Sequence, residues 1–165
     1  MARQPLTIQQ VLTLLTDAPQ RIATFTAGLT LAQLHMPPEP NEWSVNEILA
    51  HLRSCSDVWG DCIRMILEQD RPTIKAMNPT TWIAKTDYPT QPFDRSFEAF
   101  ASQRADLLAV LNSLNAEAWA RTATVTGAGK PLERSVKFYA EWLASHERTH
   151  DKQFTKTSRA VRAMS

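Results

Sequence analysis

The sequence predicts an all-α protein, a four-helix bundle with a long connection between its second and third helices. Three observations carry this. Four segments repeat apolar residues at intervals of three and four, the mark of helices buried along one face. No window of strict alternation is long enough to argue for a sheet. Glycine is scarce, four in 165 residues, and sits where turns are needed. A chain of this length reads as one domain, residues 1–165. Such a domain buries roughly two-thirds of its unfolded surface, so it needs no disulfide or structural metal merely to fold.

The first helix runs from about Thr7 to Ala27 on a stripe of Ile8, Val11, Leu12, Leu15, Ile22 and Phe25. "HMPPEPNE" then breaks the chain with three prolines. The second helix starts at Ser44-Val45-Asn46-Glu47, a capping box: Ser44 bonds the free amide of Glu47 and Glu47 reaches back. Its stripe is Ile48, Leu52, Cys55, Trp59, Cys62 and Ile66, ending near Gln69. Residues 70–93 hold four prolines and read as an irregular connection, of the kind that often covers an opening. The third helix spans about Asp94 to Ser113, with Phe97, Phe100, Leu107, Leu108 and Leu111 inside. "TVTGAGKPLE" is a turn-rich excursion; its glycines are too close for a phosphate loop, and Pro131 stands where Ser or Thr is required. The fourth helix begins near Ser135.

Composition excludes several classes of function. Hydrophobic and charged fractions of 43% and 21% are those of ordinary globular proteins. A net charge of +1 provides neither a basic field for nucleic acid nor an acidic tail. No stretch approaches the ~18 apolar residues of a membrane span. The polar N-terminus lacks the apolar core of a signal peptide, so a cytoplasmic protein is expected. Cys55 and Cys62 lie about 10 Å apart along one helix, too far to bridge, and are expected to be reduced core residues.

The fourth helix carries the chemistry. Its stripe steps through Val136, Tyr139, Leu143, His146, His150 and Phe154, so both histidines face inward. Spacing of four stacks two imidazoles one turn apart, ~6 Å, which suits two ligands of one divalent ion. His51, beside the interior stripe of the second helix, supplies a third. Three inward nitrogens make a facial site with open positions for water or substrate. The rival reading is a metal-free bundle, a binding or scaffold protein whose histidines join a buried polar network.

His146-Glu147-Arg148-Thr149-His150 is literally the H-E-x-x-H of zinc proteases. That class takes a third ligand downstream, yet neither His nor Glu follows His150. The protease reading fails on this. Glu147 lies about 100° round the helix from His146 and is expected to be solvated, with orientation of a metal-bound water as the alternative. Glu47 could accept from His51, but the capping box competes for it and is favoured. Cys55 is expected as a small core residue rather than a fourth ligand, and His35 as an exposed loop residue. Trp59, Tyr139 and Trp142 are assigned first to the core, Trp82 and Trp119 to a lid or a dimer contact.

"NEWSVNEILAHL" followed by "WLASHERTHDKQF" resembles the DinB/YfiT-like superfamily of metalloenzymes. Trp43, Ser44, Glu47 and His51 match its Trp-Ser-x-x-Glu-x-x-x-His motif, and His146 and His150 its His-x-x-x-His. The resemblance implies an up-down-down-up bundle, a divalent metal on His51, His146 and His150, and a homodimer. It also implies a small-molecule substrate, since relatives include transferases acting on low-molecular-weight thiols. Three neutral imidazoles leave a bound ion its full charge, able to acidify water or deprotonate a thiol. The thiol S-transferase reading is placed ahead of a hydrolase, and zinc or nickel ahead of iron and manganese.

Overall fold

The computed structural model describes residues 3–164; Met1, Ala2 and Ser165 lie outside the described residues. Four long helices dominate: α1 (Ile8–Thr26), α3 (Val45–Glu68), α5 (Phe93–Asn112) and α7 (Val136–Ala163). Short helices α2 (Leu31–Leu34), α4 (Pro79–Trp82) and α6 (Ala116–Trp119) punctuate the connections. All four long helices lie within a residue or two of where the sequence periodicity places them.

Strictly all-α is the part that fails. Three short strands, β1 (Thr73–Lys75), β2 (Thr122–Thr126) and β3 (Leu132–Ser135), form a sheet in that order. β1 pairs parallel with β2, Thr73 opposite Thr124, and β2 pairs antiparallel with β3, Thr122 opposite Ser135. The "GAG" that resembles a phosphate loop closes this hairpin; Gly127 and Gly129 both take φ of +87°, which L side chains rarely adopt. Arg121 at the foot of β2 donates to the carbonyls of Leu67 and Gln69, satisfying the end of α3 that lacks basic residues of its own.

Each long helix packs against two others. α7 lies between α1 and α3, and α5 closes the ring on the opposite side. Along α3 and α7 the contacts step in opposite senses, Trp59 beside Trp142 and His51 beside His146 and His150. Along α1 and α7 they step together: Leu6 bonds Glu141, Arg21 bonds Asp151, and Arg162 reaches the carbonyl of Ala27.

The apolar interior divides in two. One half gathers Val11, Leu15, Ile63, Leu111 and Leu143; the other gathers Ile22, Ile48, Leu52, Phe100 and Phe154. Between these two sets fall Arg104 along α5 and residues 146–150 along α7, while His51 of α3 lies at the edge of the second set, next to Leu52. This polar layer begins with a sequence detail. Pro19 sits inside α1 and has no N–H to give the carbonyl of Leu15, four residues earlier. Arg104 Nη1 donates to that carbonyl at 3.0 Å.

The start of α5 corrects another expectation. Its N-cap, Pro92, offers no side-chain bond. His35, expected as an exposed loop residue, is half-buried, and its Nε2 accepts from the N–H of Phe93 at 3.1 Å.

The connection after β1 is anchored along one face of α3. Asn46 donates to the carbonyls of Pro89 and Gln91, Arg53 bonds Gln91 and stacks over Tyr88, and Asp57 accepts from both Trp82 and Tyr88. Residues 46, 53 and 57 repeat at seven and four, so one helical stripe holds the whole segment. Trp119, the other residue assigned to a lid or a dimer contact, is buried in the core.

Candidate metal centre

The capping box fixes where α3 starts. Ser44 Oγ accepts from the Glu47 amide at 3.1 Å and Glu47 accepts from the Ser44 amide at 2.7 Å. His51 follows one turn after Glu47, and its side chain is 7% exposed. α7 crosses it antiparallel and brings both of its histidines to the same point. His51 Nε2 stands 3.0 Å from His146 Nε2, which stands 3.2 Å from His150 Nε2. The three rings meet edge to face, with centroids 4.7 to 5.2 Å apart.

Hydrogen bonding alone does not account for this convergence. An imidazole nitrogen has one in-plane position, holding either a proton or a lone pair. His146 Nε2 can therefore serve one of its two nitrogen neighbours and not the other. A cation on which three lone pairs converge removes the conflict. Two nitrogens each about 2.1 Å from an ion stand about 3.0 Å apart at a right angle and about 3.4 Å apart at the tetrahedral angle. The His51–His146 and His146–His150 separations fall in that interval, so each of these pairs of nitrogens fits a divalent ion.

Electrostatics agree. Burial, then the neighbouring His150, lowers the pKa of His51 to about 4; burial, then His150 and His51, does the same for His146. Both rings are neutral at pH 7 and offer lone pairs. His150 is oriented from behind, its Nδ1 lying 2.7 Å from Gln153 Oε1. An amide oxygen only accepts, so Nδ1 carries the proton and Nε2 is left free to ligate. Gln153 is absent from the sequence reading, although its spacing of three from His150 on one helix would have pointed to it.

Cys55 completes the inner wall. Its Sγ lies 3.6 Å from His51 Nε2, and His51, Cys55 and His146 form a group of donors within 4.8 Å of one another. The thiol is fully buried, and burial followed by the charge of Glu147 pushes its pKa up to about 12. Left to itself it stays protonated; its burial is that of a core residue, and its place among the three donors also makes it a candidate ligand.

The two glutamates named beside the histidines do other work. Glu47 caps α3 in the favoured way. Glu147, expected to be solvated, is 2% exposed and pairs with Arg104 through both of its oxygens. The reason is that α7 is buried on two flanks, against α3 and against α1, so a turn of 100° away from the histidines leads into core rather than water. A glutamate held this way is not placed to activate water, which removes the last support for the protease pattern.

Aromatic rings frame the centre. Trp43 lies over His51 and Trp59 against His146, centroids 5.1 and 5.2 Å apart. Trp142 packs on Trp59 yet remains 49% exposed, so it belongs to the rim rather than the core. Tyr139 is buried, as assigned.

A bundle of four long helices with a buried histidine from α3 meeting two half-buried histidines from α7 defines a helical protein with a candidate site for a divalent ion. The DinB superfamily profile matches residues 14–154, and the chain belongs to that superfamily. It is 26% identical over 148 residues to "Putative metal-dependent hydrolase BH0277" of Halalkalibacterium halodurans, covering 88% of this chain and 85% of the relative. It is 25% identical over 147 residues to "Putative metal-dependent hydrolase GK0616" of Geobacillus kaustophilus, covering 84% and 79%. The solved structure of YfiT from Bacillus subtilis, titled "a probable metal-dependent hydrolase with an unusual four-helix bundle topology", matches at a TM-score of 0.78 with 17% identity. That match covers 96% of this chain and 91% of YfiT. Among the described residues, no helix is long and apolar enough to cross a membrane.

Proposed function

We propose that this protein is a metal-dependent hydrolase acting on a small-molecule substrate, with His51, His146 and His150 as the ligands of one divalent ion. The observation that carries the reading is the convergence of three Nε2 atoms that no pattern of protons satisfies. A divalent ion held there acidifies water to a pKa of about 7 and polarises a carbonyl or phosphoryl oxygen. His51 and His146 stay neutral to bind it, and Gln153 fixes the ring of His150. Trp43 and Trp59 press on the histidine rings and keep water from their apolar sides. Arg104 and Glu147 neutralise one another behind the centre, leaving the ion's charge uncompensated for substrate.

Water is placed ahead of thiol as the activated nucleophile because the two named relatives are called hydrolases. Zinc and nickel remain ahead of iron and manganese. The reading takes the bundle as up-down-down-up, supported by the opposite stepping of α3 and α7 and the shared stepping of α1 and α7. It takes the assembly as a homodimer, supported by the exposure of Trp142.

The test is turnover of a panel of small esters, amides and phosphate esters by metal-loaded protein, with and without added thiol. Hydrolysis without thiol, abolished by chelator and restored by metal, is the expected result. Turnover only when thiol is present replaces the hydrolase reading with thiol transfer.

A further inference from the structure

Four donors, not three, gather at the histidine centre. Cys55 lies one turn after His51 on α3, as His150 lies one turn after His146 on α7, so each helix offers two ligand-forming side chains four residues apart. The helices run antiparallel and bring the two pairs together. His51, Cys55 and His146 place their donor atoms within 4.8 Å of one another, and His150 adjoins them through His146 Nε2 at 3.2 Å.

The sulfur stands where a ligand would. Its distance from His51 Nε2 is 3.6 Å. A sulfur about 2.3 Å and a nitrogen about 2.1 Å from one ion are about 3.6 Å apart at the tetrahedral angle. Hydrogen bonding points the same way. Among the described residues, His51 Nε2 is the one hydrogen-bonding partner of this fully buried thiol. An ion on His51, itself 7% exposed, takes the single lone pair that the thiol proton would use. The thiol is then left buried without an acceptor unless it sheds its proton and joins the ion, and a coordinating thiol is deprotonated outright.

We infer, on the metal-centre reading above, that Cys55 is a fourth ligand and that its sulfur fits the centre to a thiophilic divalent ion, zinc over manganese. As the sulfur–metal bond forms, the thiol proton leaves to solvent. The thiolate offsets one of the ion's two positive charges and leaves the other for substrate. Soft thiolate ligands favour zinc, whereas manganese favours carboxylate, carbonyl and water. The imidazoles do not make this choice, since they suit zinc, nickel, copper and iron alike. Nor do the neighbouring carboxylates, because Glu47 is engaged by the Ser44 amide and Glu147 by Arg104.

The probe is cobalt(II), titrated into the metal-free full chain and followed by absorption. A cobalt–thiolate bond gives an intense near-ultraviolet charge-transfer band that nitrogen ligands do not. The expected result is that band at about one cobalt per chain, retained in Cys62→Ser and lost in Cys55→Ser. Cys55→Ser should still take up cobalt through the histidines. Competition with a chelating dye should show its zinc affinity lowered on the order of 100-fold and its manganese affinity lowered less. The wild-type and Cys62→Ser spectra decide the matter even where Cys55→Ser fails to fold. Cobalt bound without the band, a band that survives Cys55→Ser, or equal losses of zinc and manganese would overturn the inference and leave the histidine centre standing. A wild type that binds no cobalt, zinc or nickel would overturn the metal-centre reading, and this inference with it.

Discussion

On α7, Glu147 and the two histidines around it are drawn into the same bundle, yet they meet burial in opposite ways. Glu147 is matched completely: Arg104 reaches both carboxylate oxygens, and its remaining reach goes to the Leu15 carbonyl that Pro19 leaves open. Charge answers charge, and of the pair's side-chain polar atoms Arg104 Nε alone finds no partner among the described residues. The histidine cluster is matched badly by its own members, since three acceptor-capable nitrogens face one another with too few in-plane protons. Polar groups that complete one another inside a core hold structure. Polar groups that converge without completing one another are shaped for something that arrives from outside.

The comparison breaks most sharply at Arg104. Arg104→Met leaves Glu147 buried and unpaired, and denaturant unfolding should show a loss of about 3–5 kcal/mol. The double variant Arg104→Met/Glu147→Leu should recover most of that loss and still bind one metal per chain. If the double variant loses the metal as well, the pair is part of the centre rather than its neighbour.

Acid should act next, on the histidine side. Folding lowers His51 and His146 from 6.5 to about 4, so between those values the unfolded chain binds more protons than the folded one. Stability of the metal-free protein should therefore be complete above pH 6.5 and fall as pH drops towards 4, measured by unfolding midpoints across that window. His51→Ala should flatten the dependence.

Gln153→Ala sharpens the comparison without touching a ligand. Freed from its acceptor, His150 can rotate or change tautomer, and metal affinity measured by competition with a chelating dye should fall on the order of tenfold. The smallest effect belongs to the cap. Ser44→Ala should cost about 1 kcal/mol in unfolding and leave metal stoichiometry unchanged, because the first turn of α3 frays while His51 stays packed under Trp43.

What the sequence reveals of this divides along physical lines. The capping box at Ser44 and the inward histidines are legible because short-range spacing on a helix determines both. Arg104 sits at the stripe positions 100, 104, 107 and 111, yet a lone arginine there looks like an interruption until its partner 43 residues later is known. Glu147 is misread because a single apolar stripe assumes one buried face, whereas α7 has two. The sheet escapes because its strands are three to five residues long, and β1 finds its parallel partner some fifty residues away. His35 escapes for the same reason, a loop residue joined to α5 across 58 positions.

The central claim is that the three histidines converge to hold an ion. Elemental analysis of tag-free protein purified without chelator, beside His51→Ala, tests it most directly. The account predicts about one divalent metal per chain in the wild type and loss of it in the variant, with the helical circular-dichroism signal retained. A wild type that holds no metal and takes up neither zinc, nickel, iron nor manganese on reconstitution would contradict it, and the cluster would then be a polar network of the bundle.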